Sequence, residues 1–170
     1  MSTRSAIGYK LSSGRIKAVY CHWDGYPKHH LPILIEHYNT LKKAKALIKP
    51  GSMSSLRTRE TWESGPRLKI LGSYVTDGES ELPMHENDRE PQPLYHHERG
   101  DGPWNATGGD YADPPHVNAS IKAAIKWWRN SFCEYMYVFI PGIGWEHYDL
   151  DEPEPQPRFT KVNQLLSSVL

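Results

Sequence analysis

The chain has 170 residues, and its 20 lysines and arginines equal its 20 aspartates and glutamates, so the formal net charge is zero. This length suits a single domain with a sizeable core, and the neutral balance argues against generic binding to nucleic acid. We expect neither a disulfide framework nor a membrane partner, because the two cysteines lack CxxC spacing and no apolar run reaches the roughly 18 residues of a membrane helix.

The N-terminal third of the chain predicts a β-hairpin followed by two short helices. Residues 6–11 (AIGYKL) and 15–23 (RIKAVYCHW) have strand-like patterns and are joined by a turn at Gly14. The DGYP sequence at residues 24–27 favours a turn that ends the second strand. Apolar residues then recur near helical spacing, and the capping residues Asn39–Thr40 predict a break between two helices.

The second half of the chain alternates candidate elements with long loops. Residues 68–75 and 93–99 are candidate strands, and the sequences at about 76–92 and 100–116 are rich in loop residues. Residues 117–132 give the clearest helix, with Asn118 as its predicted cap. The predicted apolar stripe of this helix comprises Val117, Ile121, Ala124, Ile125, Trp128 and Phe132. A second hairpin is predicted over residues 133–150.

This order of elements predicts an α+β domain over residues 1–152. We expect a mostly antiparallel sheet built from hairpins, with the helices packed on one face. The acidic, proline-rich sequence that starts at residue 153 is typical of an extended linker. The apolar tail that follows, up to residue 170, is expected to dock on the domain or on a partner chain.

The sequences STRS, YCHWDGYP and EHYNT, followed by a short helix and SSL, carry a family resemblance. They resemble a family of small bacteriophage and prophage proteins, which includes members in T4-like phages of marine cyanobacteria. The resemblance is strongest over residues 2–59 and weaker at 90–100 and 134–145. The resemblance implies an accessory phage protein that acts in the host cytoplasm, either in host takeover or against host defence. It implies no particular activity.

The YCHWDGYP sequence is the main candidate for a ligand site. Because side chains alternate along a strand, Tyr20, His22 and Asp24 are expected on one face. Cys21 and Trp23 are expected on the other face, where they suit the core. The alternative for Asp24 is purely local, since a carboxylate at the first position of a type I turn accepts backbone N–H groups.

Four further residues complete the predicted ligand site. Arg4 lies beside the first strand, and its guanidinium is suited to a phosphate or a carboxylate. The neighbouring segments supply Tyr26, His96 and Arg99. The alternative for His96 and Arg99 is that they belong to a polar strand end without a role in binding. No metal site is expected, because HxxxH, HExxH and CxxC spacings are absent from the sequence, and no cofactor is indicated.

Trp127 is the candidate for contact with a protein. Neighbouring residues on a helix lie about 100° apart. Trp128 is therefore expected within the apolar stripe, and Trp127 beside it, where its side chain can be exposed. We favour a non-catalytic protein that binds a host protein or a small nucleotide-like ligand. Two alternatives stay open: a small hydrolase or nucleotide-processing enzyme that uses Arg4, His22 and Asp24, and a module that forms homo-oligomers through its tail.

Overall fold

The computed structural model describes residues 2–57, 93–96 and 114–159, together with the backbone of two short strands between the first two ranges. The helices are α1 (Pro27–His37), α2 (Leu41–Ile48) and α3 (Ile121–Asn130). The strands are β1 (Ser5–Lys10), β2 (Ile16–Trp23), β3 (Met53–Ser55), β4 (Lys69–Ile70), β5 (Ser73–Tyr74), β6 (Leu94–Tyr95), β7 (His116–Asn118), β8 (Tyr135–Ile140), β9 (Gly144–Asp149) and β10 (Arg158–Phe159).

The strands form an eight-stranded mixed sheet with the order β10-β9-β8-β1-β2-β3-β6, in which β7 also pairs with β2. The neighbours β1–β2, β8–β9, β9–β10, β2–β7 and β3–β6 are antiparallel. The neighbours β1–β8 and β2–β3 are parallel. The predicted α+β class with a mostly antiparallel sheet is therefore confirmed.

Helices cover both faces of this sheet, so the prediction that they pack on one face is wrong. Side chains alternate along a strand, and the partners Ile7 and Val19 belong to the core under α1 and α2, whereas Ala6 belongs to the core under α3. The central strand β8 is apolar at consecutive positions, and both Met136 and Tyr137 are fully buried. A strand that is apolar on both sides needs cover on both sides, and α3 supplies the second cover.

The turns between neighbouring elements follow the sequence pattern. Gly14 in the β1–β2 turn has a φ of +89° and Gly142 in the β8–β9 turn a φ of +82°, in the left-handed region that favours glycine. Thr40 lies between α1 and α2, and its side chain accepts a hydrogen bond of 3.2 Å from the backbone N–H of Lys43. Both predicted hairpins and the predicted break between the helices are confirmed.

Two candidate strands are shorter than predicted. Residues 68–75 contain the antiparallel pair β4–β5 in place of one strand. The candidate strand at 93–99 begins as β6, and its last three residues lie outside the described residues. No helix within the described part of the chain is long and apolar enough to cross a membrane.

The described residues include only parts of the two predicted long loops and of the predicted linker and tail. The loop predicted at about 100–116 ends earlier, because His116 begins β7, and the loop predicted at about 76–92 lies outside the described residues. The proline-rich sequence from residue 153 leads into β10, which pairs with β9 at the edge of the sheet. The remaining tail from residue 160 lies outside the described residues, so the predicted boundary at residue 152 stays a prediction.

The start of α3 differs from the prediction. Ser120 is the capping residue, and its side chain accepts a hydrogen bond of 3.1 Å from the backbone N–H of Ala123. Asn118 belongs to β7, which pairs with β2, and Val117 is exposed. The predicted cap at Asn118 is therefore wrong, because pairing with the sheet holds residues 116–118 extended and leaves Ser120 next to the first helical turn.

The end of α3 places Phe132 in an unusual conformation. Phe132 has a φ of +66° and its side chain is 75% exposed. The prediction that it belongs to the apolar stripe is therefore wrong. The backbone N–H of Cys133 donates to the Trp128 carbonyl at 3.0 Å, and that of Phe132 donates to the Arg129 carbonyl at 3.1 Å. These two bonds form a Schellman motif, in which the left-handed position is usually a glycine.

Phe132→Gly should raise the free energy of unfolding by about 1 kcal/mol. The substitution removes a Cβ from a left-handed residue, which outweighs the larger conformational freedom of glycine in the unfolded chain. Urea unfolding measures the change, with Phe132→Ala as the control because alanine keeps the Cβ. Equal gains in the two variants would contradict this explanation and indicate that the loss of the exposed ring is responsible.

Candidate functional site

A groove of about 440 Å³ opens on the face of the sheet that α3 covers. Strand pairing explains the position of the groove. Strand β7 pairs with residues Ile16 to Ala18 of β2, and β3 pairs with residues Cys21 to Trp23 of β2. Neither strand pairs with Tyr20, which lies between these two stretches and lines the groove. The volume falls within the range of roughly 300–1,000 Å³ that is usual for small-molecule sites.

Four of the eight described residues that line the groove carry aromatic rings: Tyr20, His116, Trp127 and Trp128. The rings of His116 and Trp127 are stacked, with centroids 3.8 Å apart and planes 5° apart. Trp128 meets His116 edge-on and is buried, whereas Trp127 is 46% exposed. The predicted division between the two tryptophans is confirmed. The other described lining residues are two prolines and two serines.

A polar cluster, formed by Arg4, Tyr20, His22 and His96, borders the groove. The Tyr20 hydroxyl and His22 Nδ1 are 2.7 Å apart, and the His96 ring centroid lies 6.1 Å from that of Tyr20. Burial raises the pKa of Tyr20, and the positive charge of nearby Arg4 partly opposes this rise. The structure thus brings together four residues of the predicted ligand site.

Two of the other predicted ligand residues, Asp24 and Tyr26, lie between β2 and α1. Asp24 follows the last residue of β2 and has a φ of +55°, so strand alternation does not extend to it and that part of the prediction is wrong. Tyr26 precedes α1, and its ring contacts His29 at 5.9 Å. Arg99 lies outside the described residues. The roles of these residues in binding remain predictions.

Cys21 and Trp23 have different environments, although both were expected in the core. Cys21 is fully buried, as predicted, and burial raises its pKa to about 12. It is therefore a protonated thiol without access to a substrate. Trp23 is 46% exposed, because it is the last residue of β2 and pairs with Ser55 at the end of β3. Its predicted place in the core is wrong.

Sequence reasoning missed a buried pair that resembles a nucleophile and its base. Ser5 Oγ lies 3.0 Å from His30 Nε2, and both residues are 0% exposed. The Tyr137 ring lies 5.1 Å from the His30 ring, and its hydroxyl donates to the Gly25 carbonyl at 2.6 Å. No substrate reaches this pair in the folded chain, so it ties α1 to β1 and does not form an active site.

His116 is the second residue that sequence reasoning missed. It follows two prolines at the end of a predicted loop. The available signal was the pair of neighbouring tryptophans on the following helix.

Within the described residues, no three His, Cys, Asp or Glu side chains lie close enough together to hold a metal ion. No protein-family model, curated protein or solved structure matches the chain. The groove and the polar cluster therefore carry the functional argument.

Proposed function

We propose that this protein is a non-catalytic binding protein that holds the planar ring of a small nucleotide-like ligand in the groove. The observation that supports this function is the stacked His116–Trp127 pair in the wall of a groove of about 440 Å³. Flat aromatic faces bind nucleobases by stacking, at about 1–3 kcal/mol per base. A mostly apolar lining with a few polar groups is also usual for such ligands.

Two groups that resemble catalytic nucleophiles, the Cys21 thiol and the Ser5 hydroxyl, are both enclosed, which favours binding over catalysis. Cys21 is buried as a thiol, and Ser5 is enclosed with His30. The hydrolase alternative would therefore depend on His22 and Asp24. These two residues do not share the strand geometry that this alternative assumed, since β2 ends before Asp24.

The resemblance of residues 2–59 to phage proteins supports a biological setting for this activity. In that setting the protein acts in the host cytoplasm as an accessory factor of host takeover or anti-defence. It would withdraw a nucleotide-like molecule from the host, or carry that molecule as a signal. The second candidate is a host protein bound through Trp127, which the 46% exposure of its indole favours.

Trp127→Ala should weaken the binding of a nucleoside by about tenfold or more, because the variant loses one stacking surface. Isothermal titration with adenosine, guanosine, cytidine and uridine measures the affinities. Phe159→Ala is the control, since Phe159 is a 53% exposed aromatic residue on the edge strand β10 and does not line the groove. Equal effects of the two substitutions, or no binding of any nucleoside at millimolar concentration, would contradict the proposal.

Native mass spectrometry of the protein isolated from infected host cells separates the two candidates. A bound mass of a few hundred daltons that Trp127→Ala releases would support the ligand. A bound polypeptide that Trp127→Ala releases would support the host-protein candidate instead. Changes in oligomeric mass on removal of the tail from residue 153 would favour the oligomer-forming alternative.

A further inference from the structure

We infer that the polar cluster is a phosphate subsite at the end of the groove, so that the ligand is a nucleoside monophosphate and not a free nucleoside. This inference rests on the proposed function, because it assumes a ring in the groove. It adds the chemical group that selects among ring-containing ligands. The two subsites are contiguous, since Tyr20 lines the groove while its hydroxyl bonds to His22.

The charge of the cluster is suited to an anion. Arg4 carries a permanent positive charge, and its planar guanidinium presents several N–H donors to phosphate oxygens. Among the described residues, Arg4 forms no ion pair with a carboxylate. Of the described residues that line the groove or form the cluster, none is an aspartate or a glutamate.

The backbone around Arg4 is held in place on both sides. The Arg4 carbonyl accepts a hydrogen bond of 2.8 Å from the Glu134 N–H, and the Thr3 carbonyl accepts one of 2.8 Å from the Gly25 N–H. The β1–β2 register pairs Ser5 with Cys21, so Arg4 lies beside His22, the next residue along β2. Because this backbone is already held in place, binding an anion does not require the segment to be ordered, which favours affinity.

The experiment compares a nucleoside with its 5′-monophosphate, using the best-bound base of the four, on the intact chain and on Arg4→Gln. The intact chain should bind the monophosphate about tenfold to a hundredfold more tightly than the nucleoside, as expected for charge-assisted hydrogen bonds. Arg4→Gln should bring this ratio close to one, because it weakens the binding of the monophosphate far more than that of the nucleoside. Arg4→Lys should keep part of the ratio, because it keeps the charge and loses the planar fork.

The outcomes separate the inference from the proposed function. If the nucleoside binds and its monophosphate binds no more tightly, the phosphate subsite is wrong and the proposed function stands. If the monophosphate binds, inorganic phosphate competes with it and Trp127→Ala changes nothing, the ring site is wrong and the subsite is supported. If neither compound binds, both are wrong. Thermal melting verifies folding, and His22→Gln replaces Arg4→Gln if that variant does not fold.

Discussion

Gly25→Ala should lower the free energy of unfolding by about 2–3 kcal/mol. A Cβ at this buried position would lie 2.6 Å from the Thr3 carbonyl oxygen and 2.7 Å from the Ser5 Cβ. The first of these atoms is backbone and cannot rotate away, so the N-terminal segment must move. Overpacking of this kind costs about 1–3 kcal/mol, and the move also strains the hydrogen bond between Gly25 and Thr3.

Urea unfolding measures this loss, and Gly142→Ala provides the matched control. At Gly142 an added Cβ meets no atom within 4 Å, and only the φ of +82° opposes the substitution. The control should therefore cost about 1 kcal/mol from backbone strain alone. A cost at Gly25 no larger than that at Gly142 would contradict the close approach of Gly25 to the N-terminal segment. Because Arg4 lies between Thr3 and Ser5, the folded Gly25→Ala variant should also bind a monophosphate more weakly.

The free energy of unfolding should fall as the pH is lowered below about 6.5. Burial, with a smaller contribution from neighbouring His29, lowers the pKa of His30 well below its usual value, so the folded chain holds this imidazole neutral. The unfolded chain takes up the proton near pH 6.5. Above this pH the buried His30 therefore does not lower the free energy of unfolding. Between the pKa of His30 in the folded chain and that in the unfolded chain, the free energy of unfolding falls by up to about 1.4 kcal/mol for each pH unit of acidification. Urea unfolding at pH 7.5, 6.5 and 5.5 measures the slope.

Two variants test whether His30 causes this dependence. His30→Gln keeps a polar group near Ser5 Oγ and should flatten the slope, even though the variant is less stable at pH 7.5. Ser5→Ala removes the hydrogen-bond partner and leaves the imidazole buried, so it should lower stability at every pH and keep a slope. His147, whose pKa burial also lowers, accounts for a residual slope in His30→Gln. An unchanged slope in His30→Gln would contradict the assignment to His30.

Local rules were sufficient for much of the candidate site. Alternation along β2 correctly put Tyr20 and His22 on one face, and the two-residue spacing appears as the 2.7 Å contact between their side chains. The apolar stripe of α3 correctly separated Trp128 from Trp127. The same rule failed at Asp24, because alternation ends where the strand ends and a left-handed residue redirects the chain.

By itself the sequence determined the hairpins, the break between α1 and α2, and the two tryptophan environments, because each depends on residues a few positions apart. The tertiary structure alone decided which face α3 covers, and that neither β7 nor β3 pairs with Tyr20. It also decided that His116 stacks on Trp127 beside that gap. These contacts join segments far apart in the chain, and strand order and pairing register, which local periodicity does not encode, bring them together.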